Sequence, residues 1–460
     1  MTREIQLEGK RVLVVGLAKT GLASALFCAA RGARVTATES QPEEKVAEAA
    51  AKLRAAGVEL ELGGHHVETF LNKDLIIQSP GVPAELAPFV AARERGIPVW
   101  SEIELAWRFL RGRLLAVTGS NGKTTTTALL GHICETAGLP TIVAGNIGTP
   151  LISRVDTSSD ATMTVVEVSS FQLETIAAFR PDIAVWLNLT PDHLDRHASF
   201  HTYGQAKARI FENQTENDAA VLNADDPETS RYAPARPRVA WFSRVKKVER
   251  GAYLRGEHIV FRHAGREAVL LGRCDIGLRG EHNVENVLAA AAAAYLAGVA
   301  PAAIAQGVRT FAGVEHRLEF VAEIGGVQYF NDSKATNVDA TLKAVDAFSG
   351  NLFIILGGKD KGSDYSVLRE PLRRRARLAL LIGAAAEKIA AQLGDAVSLE
   401  RAGTMDAAVN LAAERAAPGD TVLLAPACAS FDQFENYEHR GRVFKQLVRA
   451  LERRAAKRSA

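Results

Sequence analysis

Lys123 and Thr124 follow directly on Gly119-Ser120-Asn121-Gly122, and residue types in that order can do phosphate chemistry. Glycines let the backbone wrap closely around an anion, and the unpaired N–H groups of a helix's first turn point at it. A lysine there lies along the outer phosphates, and a neighbouring hydroxyl can hold Mg²⁺. Such a cradle needs a strand before it and a helix behind it. Residues 113–118 form a short apolar run, and from Lys123 onward Leu129, Leu130, Ile133 and Cys134 supply an apolar helix face. The glycine spacing departs from the usual P-loop, which has a glycine five residues before Gly122 where this chain has Val117. An ordinary βα turn with a lysine at the helix start stays open on the residues alone. A nucleoside triphosphate site is the stronger reading.

Further along, Glu167 sits inside the apolar run 162–168, between Val166 and Val168. An acid there is costly to bury unless it meets a cation or a proton partner. A second apolar run, 183–189, leads into Thr190-Pro191-Asp192-His193-Leu194-Asp195. Ligands of α/β sheets sit at the strand ends, so Glu167 and His193 are expected to face the phosphate loop. For His193 alone a structural histidine is the commoner reading; Asp192, Asp195 and Glu167 at equivalent strand ends raise its weight. In the helical stretch 200–213, Lys207 lies four residues after Tyr203 and three before Ile210, leaning towards their face. Pattern alone sends its ammonium outward along a snorkelling stem.

These residues need a scaffold of alternating strands and helices. Strands are expected at 11–15, 34–38 and 75–78, with a helix at 20–30 and a turn at Ser79-Pro80-Gly81-Val82-Pro83. Glu39 ends the second strand, about 20 residues past Gly16, as in a dinucleotide fold. Gly16 and Gly21 are present, but Ala18 stands in the middle of the G-x-G-x-x-G pattern. That break favours a Rossmann-like domain holding a phosphorylated ligand other than NAD; a purely structural glycine turn stays open. Strand 221–223 is followed by the Ala224-Asp225-Asp226-Pro227 turn, 230–275 is a run of short strands and turns, and Gly280-Glu281-His282-Asn283-Val284-Glu285-Asn286 caps an alanine-rich helix. A third α/β unit begins near Val314. Its strands at 327–330, 352–356, 378–382 and 421–424 carry polar turns, including Asn331-Asp332-Ser333-Lys334-Ala335-Thr336-Asn337 and Gly357-Gly358-Lys359-Asp360-Lys361-Gly362. Three successive α/β units with polar strand ends read as a cleft enzyme. The tail 452–460 is basic and reads as a solvated helix end.

A chain of 460 residues exceeds one ordinary core, and about three domains are expected. The net charge of +2 gives no field for nucleic acid, so anions must be held by local sites. Cys28, Cys134, Cys274 and Cys428 lie far apart, which fits a reduced compartment and gives no zinc or disulfide pattern. The first residues lack a signal-peptide apolar stretch, and the run 287–300 is too short to span a membrane. A cytoplasmic chain is expected.

The runs TGSNGKTTT, EVSSFQLE, NLTPDHLDRH, GEHNVEN, EHR, NDSKATN, GGKDKG and PACASFDQFENY, together with the lysine helix 203–209, occur in this order. In combination the chain resembles the Mur ligases of peptidoglycan synthesis from end to end. Within them, FQLE, NDSKATN and PACASFDQF point to the member that adds D-glutamate. The resemblance implies an α/β protein of three domains: a Rossmann-like domain for the UDP-sugar at 1–101, a central P-loop-type ATPase with a mostly parallel sheet at 102–313, and a Rossmann-like amino-acid domain at 314–460. It also implies that ATP phosphorylates the carboxylate of UDP-MurNAc-L-Ala and that D-glutamate attacks the acyl phosphate. Gly119, Ser120, Asn121, Gly122, Lys123, Thr124 and Thr125 match ATP-binding positions, as do Asn286, Arg317, Asp332 and Lys334. Thr124 and Glu167 match ligands to one Mg²⁺, and His193 and Lys207, the last as a carbamate, ligands around a second; the resemblance implies that Lys123, Glu167, His193 and Lys207 carry the catalysis. Lys19, Thr20, Glu39, Ser79 and Asn146 match the UDP-sugar site, and Thr336, Lys361, Ser430 and Tyr437 the D-glutamate site. Lys359 stands where some members carry an acid, and Tyr437 replaces a phenylalanine. The enzyme is expected to work as a monomer on small molecules.

Rival readings are a sibling muramyl ligase and folylpolyglutamate synthetase, which begins directly with its ATPase domain. From other classes come an NAD-dependent oxidoreductase and an ATP-hydrolysing switch. Amino-acid-dependent ATP turnover separates a ligase from a switch.

Overall fold

The computed structural model describes residues 5–146, 148–193 and 196–459, so the strand-end acid Asp195 lies outside the described residues. The chain forms two compact units, residues 1–277 with 285–311, and 278–284 with 312–460.

The first unit holds two sheets. In one, Arg11–Val15, Arg34–Glu39, Glu59–Leu62, Leu75–Gln78 and Val99–Ser101 run parallel in the spatial order third, second, first, fourth, fifth. The runs RVLVV and LIIQ are buried nearly end to end, as strands covered on both faces require. The order reverses between the first and fourth strands, where the turn at Gly16 meets Ser79. Ser79 Oγ donates to the Gly16 carbonyl across that switch point, at 3.0 Å.

The second sheet has nine strands among the described residues. Arg113–Thr118 runs parallel to both of its neighbours, Met163–Glu167 and Ile183–Trp186. Thr141–Gly145 flanks Met163–Glu167, and Ala219–Asn223, Arg238–Ser243 and Gly251–Arg255 extend the other side, all parallel. The strands His258–His263 and Arg266–Gly272 turn antiparallel at that edge. The expected strand at 183–189 ends earlier, at Trp186, which leaves Asn188 and Thr190 free to shape a loop.

One continuous apolar core joins these two sheets, with Val12, Val14 and Ile77 from the first and Leu114, Ala116 and Ala184 from the second. The helix Glu102–Phe109 buries Ile103, Leu105 and Ala106 between them. Two buried acids pin that helix. Glu104 Oε2 accepts N–H bonds from Ala177, Ala178 and Phe179 at 2.9, 2.9 and 2.7 Å. Glu102 Oε1 accepts from Ile152 N at 2.6 Å, and burial pushes its pKa up to about 7.

In the second unit, six strands form a mixed sheet. Glu319–Ile324 pairs antiparallel with Val327–Asn331, which lies beside Thr421–Leu424; then come Leu352–Gly357, Ala376–Ile382 and Leu399–Gly403, all parallel. The helix Tyr437–Ser459 closes the chain. In each of the three sheets a glycine turn, at Gly16, Gly119 and Gly358, follows the C-terminal end of a parallel strand.

Candidate functional site

The strand Arg113–Thr118 ends in Gly119 (φ +153°), and Gly122 (φ +84°) caps the helix Lys123–Thr136. A Cβ on Gly122 would collide with the Asn286 amide, so only glycine allows both the left-handed turn and that approach. The helix has no side-chain cap and no acid in its first turn, which leaves its positive end suited to an anion. The turn is stitched from outside by the neighbouring loop. Ser120 N donates to Asn188 O at 3.0 Å and Asn121 N to Asn188 Oδ1 at 2.8 Å, and Asn188 Nδ2 returns a bond to Asn121 O at 3.1 Å. Ser120 Oγ and the Thr190 backbone complete the clamp, and Tyr203 Oη lies 3.2 Å from Ser120 Oγ.

Two ammonium groups converge inside this clamp. Lys123 Nζ donates to the carbonyls of Gly119 and Ser120, each at 2.9 Å, and Lys207 Nζ donates to the same Gly119 carbonyl at 2.9 Å. Lys207 is 1% exposed, which overturns its reading as a snorkelling lysine. A capping box between Ser199 and Thr202 starts the helix Phe200–Ala208, and the stem of Lys207 turns inward over the Tyr203 ring, 4.7 Å away. Burial first, and then the Lys123 charge, drive the Lys207 pKa well below that of an ordinary lysine; Asp192 and Glu167 pull it back only in part.

Glu167 lies on the adjacent strand, in register with Val117. Its Oε1 accepts from Asn146 Nδ2 at 2.8 Å, while its buried Oε2 has no hydrogen-bond partner. A buried carboxylate oxygen without a donor is unfavourable unless a cation meets it. Among the described residues no three of His, Cys, Asp and Glu cluster as a metal site. Thr124 and Thr125 are buried in the first helical turn beside Lys123, and Thr126 Oγ1 reaches Asn286 Oδ1 at 3.3 Å. His193 keeps a half-exposed ring at positive φ (+53°), edge-on to Phe171 at 5.0 Å, with Nε2 3.6 Å from Asp192 Oδ2.

On the first sheet, Glu39 closes the glycine turn: its Oε2 accepts from Leu17 N at 2.9 Å, and its Oε1 from Ser40 Oγ and Gln41 N. Desolvation works to raise its pKa, but those bonds outweigh it and hold the carboxyl below the usual range. Lys19 and Thr20 begin the following helix. Sequence reasoning missed Arg196, whose guanidinium donates to Pro80 O at 3.0 Å and Val82 O at 2.9 Å and lies 4.5 Å over Phe171. The arginine was visible in the DHLDRH run, but its partners lie more than a hundred residues upstream.

In the second unit, Asp332 is buried with Arg317 Nη1 3.8 Å from its Oδ1, and burial pushes its pKa up to about 6 against that pull. Lys334 stands 5.5 Å over the Tyr437 ring. Ser430 is buried in the turn that follows the strand Thr421–Leu424. Lys361 is exposed on a turn anchored by its neighbour Asp360, which accepts from Tyr365 Oη and Lys388 Nζ, both at 2.8 Å.

Three family patterns match the chain in succession: the Mur ligase MurD-like N-terminal domain over residues 10–101, the Mur ligase middle domain over 117–294, and the Mur ligase glutamate ligase domain over 316–428. The UDP-N-acetylmuramoylalanine–D-glutamate ligase of Acidobacterium capsulatum is 56% identical over 449 residues, covering 97% of each chain. That of Koribacter versatilis is 52% identical, covering 97% of this chain and 99% of its own. Among solved structures, a pseudomurein peptide ligase type C from Methanothermus fervidus superposes with a TM-score of 0.60 over 96% of this chain and all of its own, at 18% identity.

Proposed function

The chain belongs to the Mur ligase family, and on that premise we propose that it joins D-glutamate to UDP-N-acetylmuramoyl-L-alanine at the expense of ATP in peptidoglycan precursor synthesis. The observation that carries this reading is the convergence of Lys123 and Lys207 on the Gly119 carbonyl beside the orphaned Glu167 oxygen. Such a site suits the joining of two anions, an ATP terminal phosphate and a substrate carboxylate.

A carboxylate is a poor electrophile because its carbonyl carbon already carries the electron density of two oxygens. Its oxygen attacks the γ-phosphorus, the bond to ADP breaks, and an acyl phosphate forms. The D-glutamate amine then attacks the carbonyl carbon, phosphate leaves, and the amine loses its proton. Both steps depend chiefly on positioning and on positive charge. Lys123 and the first-turn amides of its helix hold the phosphates, while Asn188 and Thr190 keep the turn from relaxing.

The donor set fits a hard divalent cation. Thr124, Glu167, His193 and Lys207, the last as a carbamate, would hold Mg²⁺, which neutralises charge on the phosphate oxygens when bound. A free ammonium at Lys207 would not serve. Its depressed pKa favours the neutral amine that adds to CO₂, releasing one proton and leaving a carbamate.

Glu39, Ser79, Lys19, Thr20 and Asn146 are assigned to the UDP-sugar, Arg317, Asp332, Lys334 and Asn286 to ATP, and Thr336, Lys361, Ser430 and Tyr437 to D-glutamate. The chain is assigned a monomeric state, and no described helix is long and apolar enough to cross a membrane.

The test is ADP release from ATP and UDP-N-acetylmuramoyl-L-alanine across a panel of amino acids. D-Glutamate should support turnover far better than L-glutamate, D-aspartate, L-alanine or a diamino acid. ADP release independent of any amino acid would point to a switch ATPase, and preference for a diamino acid to a sibling ligase.

A further inference from the structure

Arg440 is fully buried in the second unit (0% exposed), and nothing said so far uses it. Its Nε donates to Ser333 Oγ at 2.9 Å and its Nη2 to Ser333 O at 2.8 Å. Its Nη1 donates to Cys428 O at 3.1 Å and to Ala429 O at 3.3 Å. All four acceptors are neutral. Ser333 Oγ in turn donates to Tyr437 O at 2.8 Å, tying the start of the same helix to the same point. Gly358 lets the Ala429 carbonyl, one of these acceptors, come close, since a Cβ there would collide with Ala429 O and stand 3.2 Å from Arg440 Nη1.

The residue therefore sits where three strand-end turns meet: 331–337, 357–362 and 425–430. A buried cation matched only by neutral oxygens is expensive to keep, and an apolar side chain of similar volume would avoid that penalty. Burial indeed pushes the Arg440 pKa down to about 10, with Cys428 and Asp432 opposing it. What no apolar chain can do is bridge two loops at once. The planar fork does so with fixed geometry, reaching Ser333 on one side and Cys428 and Ala429 on the other.

We propose that Arg440 is a positioning residue for the incoming amino acid, setting the spacing between the turn that carries Lys334 and Thr336 and the turn that carries Ser430. The inference rests on the assignment of Thr336, Lys361 and Ser430 to D-glutamate. A shift of either turn by about 1 Å would swing the attacking amine off the acyl carbon, and such misplacement lowers rates by about 10²-fold.

The experiment is steady-state kinetics of Arg440→Lys and Ser333→Ala, with urea denaturation to confirm that each is folded. Lysine keeps the charge but cannot span both loops. It should lower kcat/KM for D-glutamate by about 10²-fold, with the loss appearing in KM for D-glutamate and in kcat, while KM for the UDP substrate stays within about twofold of wild type. Ser333→Ala removes the Nε acceptor and the bond to Tyr437 O but leaves the other three guanidinium contacts, and should give the same selective pattern, smaller. A merely structural arginine would lower stability without that selectivity. A rise in KM for the UDP substrate equal to that for D-glutamate, or an unchanged D-glutamate KM in both variants, would overturn the proposal. Lys361→Ala run alongside separates the two levels: an unchanged D-glutamate KM there refutes the pocket assignment itself. A raised one, with Arg440→Lys silent, refutes only the positioning role.

Discussion

The first unit contains the same local device twice, a strand, a glycine turn and a helix with no side-chain cap, filled in opposite ways. At Gly16 (φ +89°) the turn amide of Leu17 is already taken by the Glu39 carboxylate. At Gly119 the turn carbonyl is taken by two lysines. Backbone geometry alone would make both turns phosphate cradles. A phosphate about 4 Å from Glu39 would instead meet a repulsion of about 4 kcal/mol at an effective dielectric of 20, whereas the same phosphate beside Lys123 is attracted. The first turn is thus suited to donors such as sugar or base N–H and O–H groups, and the second to polyphosphate. Glycine spacing identifies the turn. The charge brought to it by a distant residue decides the ligand.

The sharpest way to break this contrast is Lys123→Ala. Turnover at saturating ATP should fall by at least about 10²-fold, as when comparable electrostatic stabilisers are removed. Binding of UDP-N-acetylmuramoyl-L-alanine, measured by calorimetry, should stay within about twofold. If both fell together, the two turns would not serve separate ligands.

How much of this was legible in the sequence depended on the range of the contact involved. The phosphate turn, its strand and its helix are local, and GSNGKT displays them directly. The ends of the parallel strands were legible too, because an apolar run stopped by a polar turn marks its own end. Lys207 was misread because helical periodicity shows which face a side chain leans towards and not what waits at the end of the stem. Here the Gly119 carbonyl waits there, 88 positions away in the chain. Asn188, Arg196 and Arg440 were printed in the runs NLTPDHLDRH and FENYEHR but could not be weighed. Their partners lie 67, 116 and 107 residues distant, and one sequence without relatives does not show which loops meet.

Lys207 offers the second test. Its amine must be neutral to add to CO₂, and burial with Lys123 nearby keeps it neutral at pH values where an ordinary lysine, with a pKa near 10.4, is protonated. Falling pH protonates the released amine and opposes re-formation of the carbamate. Enzyme freed of CO₂ at about pH 6.5 should therefore lose turnover on the order of tenfold or more, as when support of a metal site is removed, and regain it with bicarbonate. The loss should deepen as pH falls, and the UDP-substrate affinity should not follow it. Full activity without CO₂, with no carbamate carbon signal in ¹³C-bicarbonate, would leave Lys207 unmodified and the second turn without the carbamate's negative charge.

The smallest effect, and the finest test of the contrast, is Glu39→Gln. Glutamine keeps one acceptor for Leu17 N but carries no charge, so the turn stays closed while its sign changes. The loss of a charge-assisted bond at a half-buried site should lower stability by about 1 kcal/mol near neutral pH. The folded-state pKa of Glu39 is depressed, so its contribution is fully present above the unfolded carboxylate value near 4.3 and is lost as pH falls through the folded value. Urea denaturation of wild type and variant should therefore show a constant gap from pH 7 down to about 5 and a shrinking one below about 4. KM for the UDP substrate should rise several-fold, and KM for ATP should not move. A stability gap that persisted unchanged at low pH would mean that the carboxylate's shape, and not its charge, holds the turn. The difference between the two glycine turns would then be steric and not electrostatic.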